Sequence, residues 1–173
     1  MIRGNLFEIP MWSVPCINFK KKKDQLTKLL KNYPEKRVGL QNFTTNRQTP
    51  RPNLVQAFSN IIQEELGMLS EQIKTDFSID DVWSVSYKKN DYHSPHNHGT
   101  VGYAGILYLE FPDGSQPTNY LQPWQNINND TTTFNALSVK EGDIVIVPKF
   151  VNHFSPPHKG KKSKRIISWD MKL

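Results

Sequence analysis

Alternating apolar and polar residues indicate that the second half of the chain is rich in strands. Between Trp83 and Lys88 apolar side chains alternate with serines and a lysine, which is typical of a strand with one buried face. The stretch from Tyr103 to Phe111 is short and apolar on both faces, so we expect a central strand there. Further strand patterns follow at Phe134 to Val139, at Ile144 to Val147 and from Arg165 onwards. Short strands divided by turn signals predict a sandwich of antiparallel sheets.

The first half of the chain has a helical periodicity instead. Apolar residues recur at helical spacing from Leu54 to Leu69, and Asn53 is the expected N-cap of a helix that continues to about Lys74. A shorter helix is predicted at about Asp24 to Asn32. The polar, proline-containing stretch from Tyr33 to Pro52 is predicted to be a long loop.

Length and composition predict one folded unit. With 173 residues, of which 36% are hydrophobic, the chain is long enough for a sizeable core, and we expect one domain over residues 1–173. Residues 1–80 are expected to support a core formed by residues 81–173. The predicted class is α+β, mainly β: a double-stranded β-helix, the cupin-like jelly roll, with supporting N-terminal helices.

Three histidines form a candidate metal site. His96 and His98 are separated by one residue, so in an extended chain their side chains project to the same side and can reach one ion. The third ligand is expected to be His153, which follows the predicted strand ending at Pro148 and can turn back into a cleft. Neutral imidazole is the commonest protein ligand for transition metals, so this set predicts a metal centre.

Arg165 is the second unusual residue. In a strand it shares a face with Ile167, Trp169 and Met171, while Ser168 and Asp170 lie on the opposite face. A guanidinium on an apolar face needs a partner, because an unpaired buried charge costs several kcal/mol. We expect that partner to be a carboxylate of the protein or of a ligand, since the planar fork of arginine suits a bidentate contact.

The order of these motifs resembles the superfamily of 2-oxoglutarate- and iron(II)-dependent oxygenases, and more narrowly its small members related to prolyl hydroxylases. The resemblance covers Trp83 to Trp169, about half of the chain. It implies a hydroxylase that uses iron(II), 2-oxoglutarate and dioxygen on a substrate that the sequence does not identify, a protein side chain being one candidate.

The resemblance also assigns roles to individual residues. His96 and His153 match the two histidines of the iron site, whereas His98 stands where the superfamily has an aspartate. Arg165 matches the residue that holds the far carboxylate of 2-oxoglutarate. The tyrosines of the family pattern, which contribute to cosubstrate binding, are matched by Tyr108 and Tyr87.

Two other functions fit parts of the pattern. The spacing from Gly142 through Pro148 to His153 also resembles the second cupin motif, which would give a dioxygenase or isomerase that does not use 2-oxoglutarate. A jelly-roll binding or assembly protein without catalysis would need no cosubstrate at all. His93 is an alternative metal ligand, and Asp91 and Asp113 are the acidic residues nearest to the histidine motif.

Charge and cysteine content argue against nucleic-acid-binding, disulfide-containing and membrane proteins. The formal net charge of +6 is concentrated in Lys20 to Lys23 and Lys159 to Arg165, which we expect to be solvated, as we do for His158. Neither run has interleaved aromatics, so nucleic-acid binding is not favoured. The single cysteine, Cys16, excludes an intramolecular disulfide, and no apolar run reaches membrane-spanning length, so a cytoplasmic protein without membrane contact is expected.

Overall fold

The chain folds into eleven strands and three helices within the residues that the computed structural model describes, which are 8–39, 42–125 and 129–173. No helix in these ranges combines the length and apolar character needed to cross a membrane. The elements in chain order are β1 (Trp12–Pro15), α1 (Phe19–Leu30), β2 (Lys36–Val38), β3 (Phe43–Thr45), α2 (Leu54–Ile61), α3 (Gln63–Ile73), β4 (Ser78–Tyr87), β5 (His93–His96), β6 (Tyr103–Glu110), β7 (Asn119–Leu121), β8 (Phe134–Ala136), β9 (Asp143–Pro148), β10 (His153–Ser155) and β11 (Lys164–Lys172).

The strands form two antiparallel sheets. The larger sheet has seven strands in the order β1-β9-β6-β11-β4-β3-β2, and the smaller has four in the order β5-β10-β7-β8. Strand β11 pairs along nearly its whole length with β4 on one side and with β6 on the other. The predicted mainly β class is therefore confirmed, and β11 lies near the centre of the larger sheet.

The larger sheet is buried on both faces. Its inner face packs against the smaller sheet through Trp83, Val85, Tyr108 and Ile166. Its outer face is covered by the helices, whose contact with the sheet includes the rings of Phe58 and Trp169 at 5.1 Å. The outer core contains further side chains from α1, α2, β6 and β11, namely Leu26, Leu30, Leu54, Leu107 and Ile167.

The region between the helices differs from its prediction. Residues 33–52 are not one long loop, because β2 and β3 lie within them and extend the larger sheet beyond β4. The prediction missed these strands because each spans only three residues, too few to show an alternating pattern.

The helices are also bounded differently. The predicted helix from Asn53 to Lys74 is divided at Ile62 into α2 and α3, and Asn53 occupies the N-cap position without a capping bond from its side chain. Helix α1 begins at Phe19, five residues before the predicted start at Asp24. The residues that pack against the core remain those on the apolar stripe.

A buried ion pair joins α1 to α3. The ammonium of Lys22 lies 2.9 Å from the carboxylate of Glu65, and both side chains are almost inaccessible to solvent. Lys22 is thus not part of a solvated basic run, contrary to the expectation for Lys20 to Lys23. Cys16 lies beside this pair, and burial, together with the negative charge of Glu65, raises the pKa of its thiol to about 12.

We predict that Gly105→Ala destabilises the fold strongly. A Cβ at Gly105 in β6 would lie 2.1 Å from the ring of Trp169 in β11, so the substitution overpacks the sheet, and we expect a loss of about 3 kcal/mol in the free energy of unfolding. Gly67 in α3 is the control, since nothing lies within 4 Å of its Cβ position and alanine there should stabilise the helix by about 0.5–1 kcal/mol. Urea unfolding of both variants measures the difference, and equal stability would contradict the packing described for β6.

Candidate active site

Two of the three predicted histidines face each other across a strand pair. His153 in β10 is the register partner of His96 in β5, and their ring centroids lie 4.5 Å apart. His98, just beyond β5, is fixed by its backbone N–H, which donates to the carbonyl oxygen of Lys149 at 3.0 Å. One nitrogen from each of the three rings lies within 4.8 Å of the others, so the structure brings together the three side chains singled out in the sequence.

Each of these rings has one nitrogen committed to an acceptor. The Nδ1 atom of His96 donates to the carbonyl oxygen of Ser94 at 2.8 Å, and that of His153 donates to the carbonyl oxygen of Val151 at 3.0 Å. A carbonyl oxygen can only accept, so Nδ1 carries the proton in both rings, and Nε2 keeps its lone pair. The Nδ1 atom of His98 lies 2.6 Å from a carboxylate oxygen of Asp170, which leaves its Nε2 free in the same way.

Burial keeps His96 and His153 uncharged. Desolvation, with the proximity of the other imidazoles, lowers the pKa of His153 to about 3, and burial also lowers the pKa of His96. Neutral imidazoles are the form that coordinates a metal. These two histidines are therefore held in the ligating state at pH 7.

A fourth histidine lies beside the cluster. The ring of His93 stacks on that of His96 with centroids 3.9 Å apart, and burial lowers its pKa to about 3. Its other face contacts Phe43 from β3, at 4.3 Å between centroids. His93 is not part of the group of converging nitrogens, so it lies next to the candidate metal site rather than within it.

The cluster opens into a narrow cavity between the sheets. The cavity has a volume of about 180 Å³, and all four of these histidines line it. Apolar side chains form much of its wall, and Arg47 and Gln48 are its long polar side chains. The remaining lining residues include Val38, Phe43, Trp83, Tyr87, Ile106, Thr118, Ser155 and Ile166.

Lys164, the first residue of β11, is a buried lysine behind the wall of this cavity. Its side chain is inaccessible to solvent, and its Nζ donates to Ser155 Oγ at 2.6 Å and to the carbonyl oxygen of Gln116 at 3.0 Å. The ring of Tyr87, which lines the cavity, lies 4.3 Å from the same nitrogen. Within the described ranges no carboxylate compensates this charge, and burial lowers the pKa of Lys164 to about 7.

Arg165 lies on the opposite face of the sheet. Its guanidinium pairs with Glu35 at 2.9 Å, and the same carboxylate accepts a hydrogen bond from Ser84 at 2.7 Å. The expectation that Arg165 has a carboxylate partner is met by the protein itself. Neither Arg165 nor Lys164 lines the cavity, but Lys164 contacts two residues that do, Ser155 and Tyr87.

The two predicted tyrosines occupy different depths. Tyr87 lines the cavity and is hydrogen-bonded to Ser155, and burial raises the pKa of its hydroxyl. Tyr108 is buried behind the wall, where its hydroxyl accepts a hydrogen bond from the backbone of Thr118 at 3.2 Å. Tyr87 is the one that a cavity ligand can touch directly.

Three other residues weighed in the sequence lie away from the cluster. His158 is fully buried, contrary to the expected exposure, and its Nε2 lies 2.7 Å from the carbonyl oxygen of Lys162. Asp91 is bound by both terminal nitrogens of Arg37. Asp113 is exposed in a turn.

Lys164 and Asp170 were not among the predicted site residues. The alternation of the last strand shows that residues 164, 166, 168 and 170 share a face, but only the tertiary structure shows that this face carries the cavity. Arg165, the predicted site residue, lies on the more apolar face of the strand, and that face packs under the helices.

The sequence from residue 81 to residue 170, just over half of the chain, matches a protein family described as "Putative 2OG-Fe(II) oxygenase". This chain belongs to that family. It is an oxygenase that depends on 2-oxoglutarate and iron(II), as the order of the motifs implied. No curated protein matches it.

Solved structures with the same fold support the architecture predicted for the oxygenase. A viral collagen prolyl hydroxylase from Paramecium Bursaria Chlorella virus-1, in complex with 2-oxoglutarate, is 16% identical with a TM-score of 0.62 over 94% of this chain and 96% of its own. A Pseudomonas putida prolyl-4-hydroxylase is 10% identical with a TM-score of 0.62 over 95% of this chain and 94% of its own. HygX from Streptomyces hygroscopicus, with nickel, 2-oxoglutarate and hygromycin B bound, is 9% identical with a TM-score of 0.69 over 95% of this chain and 83% of its own. The double-stranded β-helix is thereby confirmed.

The buried ammonium of the oxygenase predicts an unusual dependence of stability on pH. Between pH 7 and about 10 the unfolded chain keeps Lys164 protonated, with an ordinary pKa of 10.5, while the folded chain releases that proton at about pH 7. The unfolded state then binds more protons, so the contribution of Lys164 to stability rises with pH by up to about 1.4 kcal/mol per pH unit. Lys164→Met should abolish this contribution. Urea unfolding of both proteins from pH 7 to 10 measures it, and parallel curves would contradict the burial of an uncompensated ammonium.

Proposed function

We propose that this oxygenase hydroxylates a C–H bond of a side chain that enters the cavity from a larger substrate. In this proposal His96, His98 and His153 hold iron(II), and Lys164 holds the far carboxylate of 2-oxoglutarate. The single observation that carries the proposal is the set of three converging imidazole nitrogens in one cavity, with a buried lysine amine in contact with Ser155 and Tyr87 of the cavity wall.

The donor set fits iron(II). Imidazole nitrogens are common ligands of iron, and each ring here is oriented by a hydrogen bond from its Nδ1 atom, as is usual for metal-binding histidines. The family pattern has an aspartate in place of His98, so the centre proposed here carries one more unit of positive charge in its ligand set.

The buried ammonium fits a carboxylate. An ammonium group has three donors, and the protein occupies two of those of Lys164, with Ser155 and Gln116. A carboxylate would accept the remaining donor and supply the negative charge that this buried group lacks. Tyr87 and Ser155 line the cavity next to Lys164 and can contact the same ligand, which supports a cosubstrate role for Tyr87. Tyr108 would act behind them through Thr118.

The cavity volume supports a substrate that remains largely outside. Pockets that enclose a drug-sized ligand have volumes of about 300–1,000 Å³, whereas this cavity has about 180 Å³ and must also accommodate 2-oxoglutarate. Only a small group of the substrate can then reach the metal. A side chain presented by a polypeptide satisfies this condition because its backbone can lie across the cavity mouth.

The protein orients the reacting groups, excludes water from them and supplies charge. Iron(II) with bound 2-oxoglutarate and dioxygen supplies an oxidation in which 2-oxoglutarate loses carbon dioxide to give succinate while one oxygen atom enters the substrate. The histidines orient the metal, Lys164 orients the cosubstrate, and the apolar wall formed by Trp83, Ile106 and Ile166 excludes water from the reacting groups.

Succinate formation tests the proposed activity. The iron-loaded protein is incubated with 2-oxoglutarate and oxygen in the presence of a peptide digest or of a pool of free amino acids and small metabolites. We expect succinate, with stimulation by the peptides, and at least about 100-fold less with His153→Ala because one metal ligand is lost. Stimulation by the small molecules alone would contradict the peptide substrate. Absence of both succinate and 2-oxoglutarate binding would support the cupin-like or non-catalytic alternatives.

Cosubstrate affinity distinguishes Lys164 from Arg165. Lys164→Met should weaken 2-oxoglutarate binding roughly 10- to 100-fold, since a charge-assisted bond is lost, and should leave metal binding unchanged. The matched control, Arg165→Met, removes a neighbouring cation from the other face and should change that affinity less than about 2-fold, although it destabilises the fold by freeing Glu35. Calorimetric titration with 2-oxoglutarate, with manganese(II) in place of iron, measures both affinities. A large loss of 2-oxoglutarate affinity in Arg165→Met alone would indicate that Arg165, and not Lys164, binds the carboxylate.

We also propose a cytoplasmic location for the protein. The free thiol of Cys16, which is buried, is compatible with a reducing compartment.

A further inference from the structure

His98 has a bonding partner that the other two histidines lack. Its Nδ1 atom lies 2.6 Å from Oδ1 of Asp170, and both side chains are nearly inaccessible, with exposed fractions of 2% and 10%. Within the described cluster, His96 and His153 donate to backbone carbonyls, which carry no net charge. The histidine that stands at the aspartate position of the family pattern is thus the one attached to a carboxylate.

The second oxygen of Asp170 is also occupied. Oδ2 of Asp170 lies 3.4 Å from a guanidinium nitrogen of Arg47. Arg47 is held in turn by stacking over the ring of Trp83 at 3.9 Å and by Asp81 at 3.8 Å. With one oxygen on His98 and the other on Arg47, Asp170 is directed away from the converging nitrogens and cannot itself be a ligand in this arrangement.

The backbone fixes Asp170 in this orientation. Asp170 lies in β11, opposite Asp81 of β4 on one side and Ala104 of β6 on the other. A carboxylate held this way orients the imidazole ring and makes its far nitrogen a stronger donor. The negative charge that a directly bound aspartate would supply is therefore present one imidazole away, in a buried region where charges interact strongly.

We infer that Asp170 is a positioning residue that, through His98, replaces the missing acidic ligand of the metal centre. The inference rests on the proposed function, because it takes the three histidines as the metal site. It adds a residue and a charge that neither the family pattern nor the cluster of histidines contains.

Cobalt(II) binding to the full-length protein tests this role without catalysis. Asp170→Asn keeps the shape of the side chain and removes its charge, and we expect cobalt(II) to bind about 10- to 100-fold more weakly, with shifted visible absorption bands. The matched control is Asp81→Asn, which removes a carboxylate from the same Arg47 without touching a histidine and should leave cobalt(II) affinity within about 2-fold. Affinity and spectrum unchanged in Asp170→Asn would overturn the inference.

A second pair of variants separates charge from structure. His98→Asp places the acid directly among the ligands, so Asp170 is no longer needed, and we expect that adding Asp170→Asn to His98→Asp leaves cobalt(II) affinity equal or higher. A merely structural Asp170 would instead weaken binding in both backgrounds, which would contradict our inference. Thermal unfolding of the metal-free variants shows which of them are folded, and a fold lost in Asp170→Asn but kept in Asp81→Asn would make the role structural.

The outcomes distinguish this inference from the proposed function. If the wild-type protein binds no cobalt(II), the proposed metal site itself fails. If the wild-type protein binds cobalt(II) and Asp170→Asn binds it equally well, the metal site stands and only the role of Asp170 is rejected.

Discussion

The two-sided burial of β11 is the constraint on which both the fold and the site depend. Hydrogen bonds to β4 and β6 fix its register along almost its whole length. Successive side chains must then point alternately into the cavity and under the helices. Lys164 and Asp170 consequently reach the cavity face, while Arg165 and Trp169 reach the opposite face. A shift of the β11 register by one residue would exchange these two sets of side chains, so that each charged side chain would be buried away from its partners.

Desolvation determines which protonation states the buried side chains near the cavity favour. Burial suppresses the protonation of His96 and His153 and makes the protonated form of Lys164 costly. The cavity is thus lined by the neutral imidazoles of His96 and His153, and the amine of Lys164 lies behind its wall. In the proposed site, a divalent metal and a protonated Lys164 would both add positive charge, which a dicarboxylate would offset.

Much of the fold followed from local patterns, and so did the choice of the three histidines that the structure brings together. The alternation in β4 and the apolar run of β6 are strong local signals, and the spacing of His96 and His98 needs only an extended chain. The functional face of β11 was not predictable in this way, since a strand covered on both sides is apolar on both faces and only the tertiary structure shows which face meets the histidines. The short strands β2 and β3 and the burial of His158 were missed for a related reason, because they depend on distant partners. The division of the chain at residue 80 and the roles of the individual site residues stay predictions.

The isolation of Cys16 has a practical consequence for an enzyme that handles dioxygen. Thiolates, not thiols, are oxidised and alkylated readily, and the thiol of Cys16 is buried with its pKa raised to about 12. It lies against the ion pair of Lys22 and Glu65 on the helix side of the larger sheet, whereas the histidines line the opposite side. The protein can therefore be purified without dithiothreitol, a reagent that would itself compete for the metal.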